Sequence, residues 1–278
     1  MEKYFNSPAE VVEANIKASE GKAALSAGKM ILSGMFAGVF IAFGGAAGST
    51  AAHGIADVGV GRALTGAIFP VGLMMVVILG GELFTGNCLL VIAALEKRIS
   101  WKNMLRNLII VYFSNLAGAF LVAALLAFSG NMDYSGGLLG AYTIKIAIGK
   151  AGISPIKGIA SGILCNILVC VAVLMATAAK DIGGKVWAIF FPIAAFVIGG
   201  FEHCVANMFY IPAGMMAAMN PEYVIKAQEA YGISSEQIAA LSGWGFLQNL
   251  IPVTLGNLIG GILLVGVPMF LIHRKGKN

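Results

Sequence analysis

Charge is scarce in this chain. Asp, Glu, Lys and Arg make up 11% of its 278 residues, against 59% hydrophobic. A soluble domain carries about a quarter charged residues to cover its surface, so a water-exposed globule is excluded. Histidine is scarcer still, with His53, His203 and His273 the whole supply. No His-Glu-x-x-His and no Gly-x-Ser-x-Gly occurs, so neither a metalloenzyme cluster nor a hydrolase triad can be assembled around any of the three. The four cysteines, Cys88, Cys165, Cys170 and Cys204, lie singly inside apolar runs without a Cys-x-x-Cys pair. They read as small packing residues rather than disulfides or metal ligands. No cofactor and no metal are expected. A basic leader running straight into an apolar core is missing at Met1 to Asn6, so a cleaved signal peptide is not expected. The net charge of +5 is better read by its position along the chain than as a nucleic-acid footprint.

What is present are apolar runs longer than the ~20 residues that cross a bilayer as helix. The fold class expected is all-α integral membrane, with the lipid bilayer as solvent. Two runs are too long for one crossing. Ala63 to Leu95 would measure about 50 Å as a straight helix, against a hydrocarbon core of ~30 Å, and Val186 to Met219 repeats the problem. Each holds a polar knot behind two glycines: Gly80-Gly81-Glu82-Leu83-Phe84-Thr85-Gly86-Asn87 and Gly199-Gly200-Phe201-Glu202-His203-Cys204-Val205-Ala206-Asn207. Both read Glu-x-x-x-x-Asn. Ionisable side chains are costly in hydrocarbon and mark functional paths by default; glycine and asparagine favour the dihedrals a helix avoids. Both helices are therefore expected to break at these knots. Glu82, Asn87, Glu202 and Asn207 are structural residues of the breaks, with Thr85 or Asn87 capping the restarted half-helix and Glu202 anchoring freed backbone N–H groups.

Ser7-Pro8-Ala9-Glu10 is a capping box with proline at the first helical position. It predicts a surface helix from Pro8 to about Ser19, with Val11, Val12 and Ile16 on its apolar face. The spans follow at about Lys29–Ala52, Ala63–Leu95 (broken), Leu105–Phe128, Gly158–Ala179, Val186–Met219 (broken) and Gly245–Ile272. Asn107-Leu108-Ile109 with Asn115-Leu116-Ala117-Gly118 matches Asn249-Leu250-Ile251 with Asn257-Leu258-Ile259-Gly260 at constant spacing, and Gly34 and Gly38 match Gly158 and Gly162. A duplicated three-helix unit follows, and three being odd, the second copy enters the membrane inverted. Inverted repeats with paired broken helices place a transport site at their interface near the midplane. The division expected is 1–28 as an N-terminal segment, 29–130 as the first repeat, 131–157 as an extracytoplasmic connection, 158–273 as the second repeat, and 274–278 as a tail.

Loop charge orients this arrangement. Thirteen of the eighteen Lys and Arg fall in the amino-terminal tail up to and including Lys29, the 97–106 loop, the 180–185 turn and the carboxy terminus. Positive residues stay on the cytoplasmic side, so a multi-pass protein of the cell membrane with both termini in the cytoplasm is expected. Arg62 and Lys226 on the other side read as ordinary loop charges and His53 as a solvated loop histidine. Lys145, Lys150 and Lys157 form a basic patch that suits an anion-attracting vestibule.

Phe201 to Phe209, Asn249 to Asn257 and Leu164-Cys165-Asn166-Ile167-Leu168-Val169-Cys170 together resemble the formate/nitrite transporter family, over nearly the whole chain. The first knot is more similar to the nitrite and hydrosulfide branches than to the formate branch, which points to hydrosulfide. The resemblance implies an aquaporin-like protomer with six transmembrane helices and one pore, assembled as a homopentamer. It implies Lys150 as the vestibule cation, His203 as the central polar group, Thr85 facing it, and Asn166 as the pore asparagine. Phe69, Leu73, Leu83 and Phe196 would make two apolar constrictions, with Val169 nearby. The function expected is a channel for small monovalent weak-acid anions, hydrosulfide first, then formate and nitrite, with a proton handled at or near His203. The alternatives are a proton-coupled formate or nitrite transporter and an aquaporin-like neutral-solute channel. The last is disfavoured because no paired Asn-Pro-Ala stands at the breaks.

Overall fold

The computed structural model describes residues 4–273, so the tail residues Arg274, Lys275 and Lys277 lie outside the described part. Helix α1, Pro8–Ala24, begins at the expected capping box and runs past Ser19. Its buried Val11, Val12 and Ile16 pack against the bundle rather than facing lipid. Helix α2, Ala27–Ala52, starts at Ser26, whose hydroxyl accepts the Lys29 N–H. The first interrupted segment comprises α3 (Val58–Ile68), α4 (Val71–Leu79), a non-helical stretch, then α5 (Phe84–Asn87) and α6 (Leu90–Leu95). Helix α7, Trp101–Phe128, closes the first unit.

The second unit repeats the pattern. A short turn at Asn131–Asp133 leads to α8, Tyr134–Ala151, and to α9, Pro155–Ala178. Helix α10, Ile182–Gly199, ends in a second interruption before α11, Cys204–Ala217. Two surface helices, α12 (Pro221–Tyr231) and α13 (Ser235–Ala239), precede α14 (Gly243–Leu258), a π-helical stretch Ile259–Gly266, and α15 (Val267–His273). Among the described residues, six helices are long and apolar enough to cross a membrane, while Phe84–Leu95 and Cys204–Ala217 are the shorter apolar continuations of the two interrupted ones. The expected six-span architecture with two broken helices is therefore the one adopted.

Glycine sets the breaks. Gly80 has φ +77° and Gly200 φ +69°, a left-handed conformation that ends each helix and that a Cβ would strain. Close packing uses other glycines. A methyl on Gly118 would collide with the Met35 carbonyl where α7 crosses α2, and one on Gly260 with the Ile163 carbonyl where the Ile259–Gly266 stretch crosses α9. The two crossings are equivalent in the two units, as the repeat predicts.

Two expectations need correction. Thr85 and Asn87 do not cap the restarted half-helix: α5 begins after Leu83, with Thr85 and Asn87 inside its four residues. The stretch 131–157 is not a plain connection, since α8 buries Ala141, Ile144 and Ala147 on one face and packs on α11. That three-residue spacing of small and apolar side chains stands out less than the polar residues around it.

Candidate functional site

Both glutamates sit at equivalent points of the two breaks, and each organises a buried polar cluster of the same design. Glu82 is 4% exposed and Glu202 7%, so each carboxylate needs compensation. At the first break, Lys22 Nζ stands 2.9 Å from Glu82 Oε1 and donates to Asn87 Oδ1 at 2.8 Å. Asn87 Nδ2 donates to Glu82 Oε2 at 2.7 Å and to Asn107 Oδ1 at 2.8 Å. At the second, Lys150 Nζ stands 3.0 Å from Glu202 Oε1. Asn207 Nδ2 donates to Glu202 Oε2 at 2.6 Å and to Asn249 Oδ1 at 2.8 Å. Lys, Glu, Asn and Asn recur in the same roles from non-homologous stretches for the lysine and matching stretches for the rest. One difference separates them: among the described residues Asn207 Oδ1 has no hydrogen-bond partner, whereas its counterpart accepts from Lys22.

The backbone groups freed by the breaks are satisfied by a second pair of asparagines. Asn115 Oδ1 accepts the Phe84 N–H at 2.9 Å, while its Nδ2 donates to the carbonyls of Gly34 and Glu82 at 2.7 and 2.8 Å. Asn257 Oδ1 accepts the Cys204 N–H at 2.9 Å, and its Nδ2 donates to the carbonyls of Gly162 and Glu202 at 2.8 and 3.0 Å. Buried backbone donors are almost always paired, and here two side chains do what the lost helix bonds would have done. The glutamate side chains do not take that role. Glu202 holds Lys150 and the two asparagines, and Ser161 Oγ accepts its N–H at 3.0 Å.

His203 and Thr85 bring the two breaks together. Thr85 Oγ1 lies 2.8 Å from His203 Nε2, and both residues are buried. His203 also caps α11: its Nδ1 accepts the Ala206 N–H at 3.0 Å. A nitrogen that accepts carries a lone pair, so the single proton of the neutral imidazole is on Nε2, donated to Thr85 Oγ1. The threonine hydroxyl hydrogen is then left to point elsewhere. Behind them Asn166 is fully buried and donates to the Thr85 carbonyl at 3.3 Å and the Asn257 carbonyl at 2.6 Å, tying the first break to α14.

Above the histidine the rings of Phe69 and Phe196 meet edge to face at 5.5 Å, and Phe196 stacks on the imidazole at 5.9 Å. These form the floor of a cavity of about 570 Å³ that also takes in Arg62, Lys145, Lys150, Tyr142 and Tyr210. The cavity reaches Ser49 and Ala52, at the end of α2 away from α1. Leu73, Leu83 and Val169 are outside it and buried at 2%, 2% and 1% exposure. Of the expected basic patch, Lys145 and Lys150 line the cavity; Lys157 does not, and Arg62 does. Arg62 is thus no ordinary loop charge, and its Nη1 donates to the Ile198 carbonyl at the end of α10. Lys226 likewise donates to the Gly136 carbonyl, and His53 bonds the Thr50 carbonyl and the Ser135 hydroxyl through its two ring nitrogens.

Sequence reasoning missed Lys22 altogether. It used Asn107, Asn115, Asn249 and Asn257 as repeat landmarks without giving them work. The same spacing of Asn107 to Asn115 and of Asn249 to Asn257, each pair following a Glu-x-x-x-x-Asn knot, was the available signal.

The family model for formate/nitrite transporters matches residues 9–271. The chain is 39% identical to a protein of Methanothermobacter thermautotrophicus named "Probable formate transporter", over 98% of both chains. It is 36% identical to the formate channel FocA of Escherichia coli (strain K12), over 87% of this chain and 85% of that one. Among solved structures, a pentameric formate channel with formate bound is similar with a TM-score of 0.78 and 35% identity, covering 90% of this chain and 98% of that chain. A structure described as an FNT family ion channel gives 0.80 at 27% identity, covering 94% of this chain and 98% of that one.

Proposed function

Because the chain belongs to the formate/nitrite transporter family, we propose that it conducts a small monovalent weak-acid anion across a membrane, with formate as the first substrate. The names of the relatives favour formate over the hydrosulfide that the first knot suggested. Nitrite and hydrosulfide, of the same charge and similar size, stand behind it.

The observation that carries the reading is the contact of Thr85 Oγ1 with His203 Nε2 at 2.8 Å, beneath two phenylalanine rings and at the base of a cavity bearing lysine. A bare ion loses several kcal/mol of hydration in such an apolar constriction. A weak acid avoids this by crossing protonated, or hydrogen-bonded to a fixed donor. Lys150 concentrates the anion in the vestibule. The Nε2–H of His203 and the hydroxyl of Thr85 then replace water as donors while the anion takes a proton from the vestibule and passes Phe69 and Phe196. Leu73, Leu83 and Val169 form the apolar walls beyond. Glu82, Asn87, Glu202 and Asn207 hold the breaks open, and Asn166 keeps Thr85 in register with them.

The vestibule faces outward and both termini lie in the cytoplasm, as the distribution of basic loops favours. Residues 29–130 and 158–273 act as the two inverted repeats, with 131–157 between them, 1–28 under the bundle and 274–278 as the tail. The pentameric relative favours a homopentamer with a pore in each protomer. Purified protein in liposomes should pass formate faster than chloride. Nitrite and hydrosulfide measured beside them rank the substrates, and a flux of formate no greater than that of empty liposomes would sink the reading.

A further inference from the structure

The vestibule holds more positive charge than the conduction pathway uses. Its carboxylates are both committed: Glu202 to Lys150 at 3.0 Å, and Asp57 to the Val60 N–H at the start of α3, at 2.8 Å. Arg62 and Lys145 line the same cavity. Among the described residues neither has an acidic partner at ion-pair distance; the pairs are Lys22–Glu82, Arg98–Glu20 and Lys150–Glu202. Lys145 Nζ lies instead over the Tyr231 ring at 4.3 Å and the Tyr142 ring at 5.8 Å. Arg62 makes one hydrogen bond, at 3.3 Å, to the Ile198 carbonyl, out of five N–H donors.

The walls between these cations are aromatic. Tyr142, Tyr210 and Phe201 line the cavity with Arg62 and Lys145, and its volume of about 570 Å³ is that of a site for a ring-sized ligand, many times what formate fills. The floor is shut to such a ligand by the edge-to-face pair Phe69 and Phe196, with ring centroids 5.5 Å apart.

We propose that the vestibule is itself a binding site for aromatic monoanions, carboxylates or sulfonates, which seat their charged group on Arg62 and Lys145, lay the ring against Tyr142 and Tyr210, and block the pore without crossing it. A guanidinium offers two parallel N–H groups to such a head group, and the ring excludes water from the contact. This rests on reading the cavity as the mouth of the pore.

Benzenesulfonate is the probe, since it stays ionised and does not leak through lipid as a neutral acid. Added to both faces of proteoliposomes, it lowers formate flux in a saturable manner, and it binds the purified protein in calorimetry. Methanesulfonate, with the same head and no ring, blocks about tenfold less well, the loss expected for one apolar ring contact. Arg62→Gln and Lys145→Gln each raise the half-blocking concentration about tenfold, the loss of one charged hydrogen bond, with every variant scored against its own unblocked flux. Arg62→Lys provides a check if the glutamine variant fails to fold. A conducting protein that benzenesulfonate neither binds nor blocks overturns the proposal, as does an equal block in wild type, Arg62→Gln and Lys145→Gln. Absence of formate flux in the unblocked protein counts against conduction instead and leaves calorimetry to decide the site.

Discussion

The ammonium of Lys22 stands 2.9 Å from the carboxylate of Glu82, joining a helix packed beneath the bundle to the break inside it. Among the described residues Lys22 is the only cation bonded to this glutamate, so α1 belongs to the electrostatics of the first break.

Lys22→Ala should therefore leave a carboxylate buried without its counter-charge. The cost of breaking a buried pair is ~3–5 kcal/mol, and with a third of the lysine side chain exposed the lower end applies. Thermal unfolding in detergent should show a clear fall in Tm, and the double variant Lys22→Ala, Glu82→Gln should recover most of it. A double variant no better than the single one would mean that Glu82 is not what Lys22 compensates.

Lys150→Gln should slow formate uptake from the vestibule side by about tenfold, the low end of what a focused charge contributes to an encounter rate. Part of that loss comes from the unpaired Glu202 it leaves beside the path. Lys150→Gln with Glu202→Gln removes both charges, and stopped-flow uptake should fall between wild type and the single variant.

Thr85→Ser keeps the hydroxyl that meets His203 Nε2 and should conduct, whereas Thr85→Val, of equal volume, should lose at least about tenfold in flux, the worth of a hydrogen bond to a desolvated anion. If the neutral acid is what passes, wild-type flux rises as pH falls, because more of the substrate is protonated. His203→Ala should change that slope, and identical pH profiles would remove the imidazole from the pathway.

Gly118→Ala and Gly260→Ala should each destabilise by about 1–3 kcal/mol, the usual cost of overpacking, because the added methyl meets a backbone carbonyl that cannot swing aside. A Tm drop of similar size in both would fit two equivalent crossings, and wild-type Tm in either would contradict the close approach.

Much of this could be read from residues alone. Gly80, Gly200 and the glutamates behind them announced the breaks, since a carboxylate in the middle of an apolar run needs a reason to be there. The repeated Asn107/Asn115 and Asn249/Asn257 spacing announced the inverted unit, and the capping box placed the start of α1 at Pro8. Contacts made across long sequence distances were hidden. Lys22 sits near the end of a helix that looks like any charged surface helix, and nothing local links it to a glutamate sixty residues on. Arg62 resembled a loop charge because Gly200, the residue whose lack of a side chain makes room for the guanidinium, comes from the other repeat. Glu202 was given the work of Asn257, for a carboxylate is the more conspicuous acceptor while an amide can both accept and donate. The preference for hydrosulfide rests on the first knot alone, a six-residue signal that the relatives, named for formate, do not support.

Lys22 has two acceptors, while Lys150 has one carboxylate oxygen and, among the described residues, Asn207 Oδ1 has no donor. The duplicated architecture is consequently not a mirror. One ammonium serves as a rivet between two partners and the other as a clasp on one, so two near-identical halves acquire a front and a back.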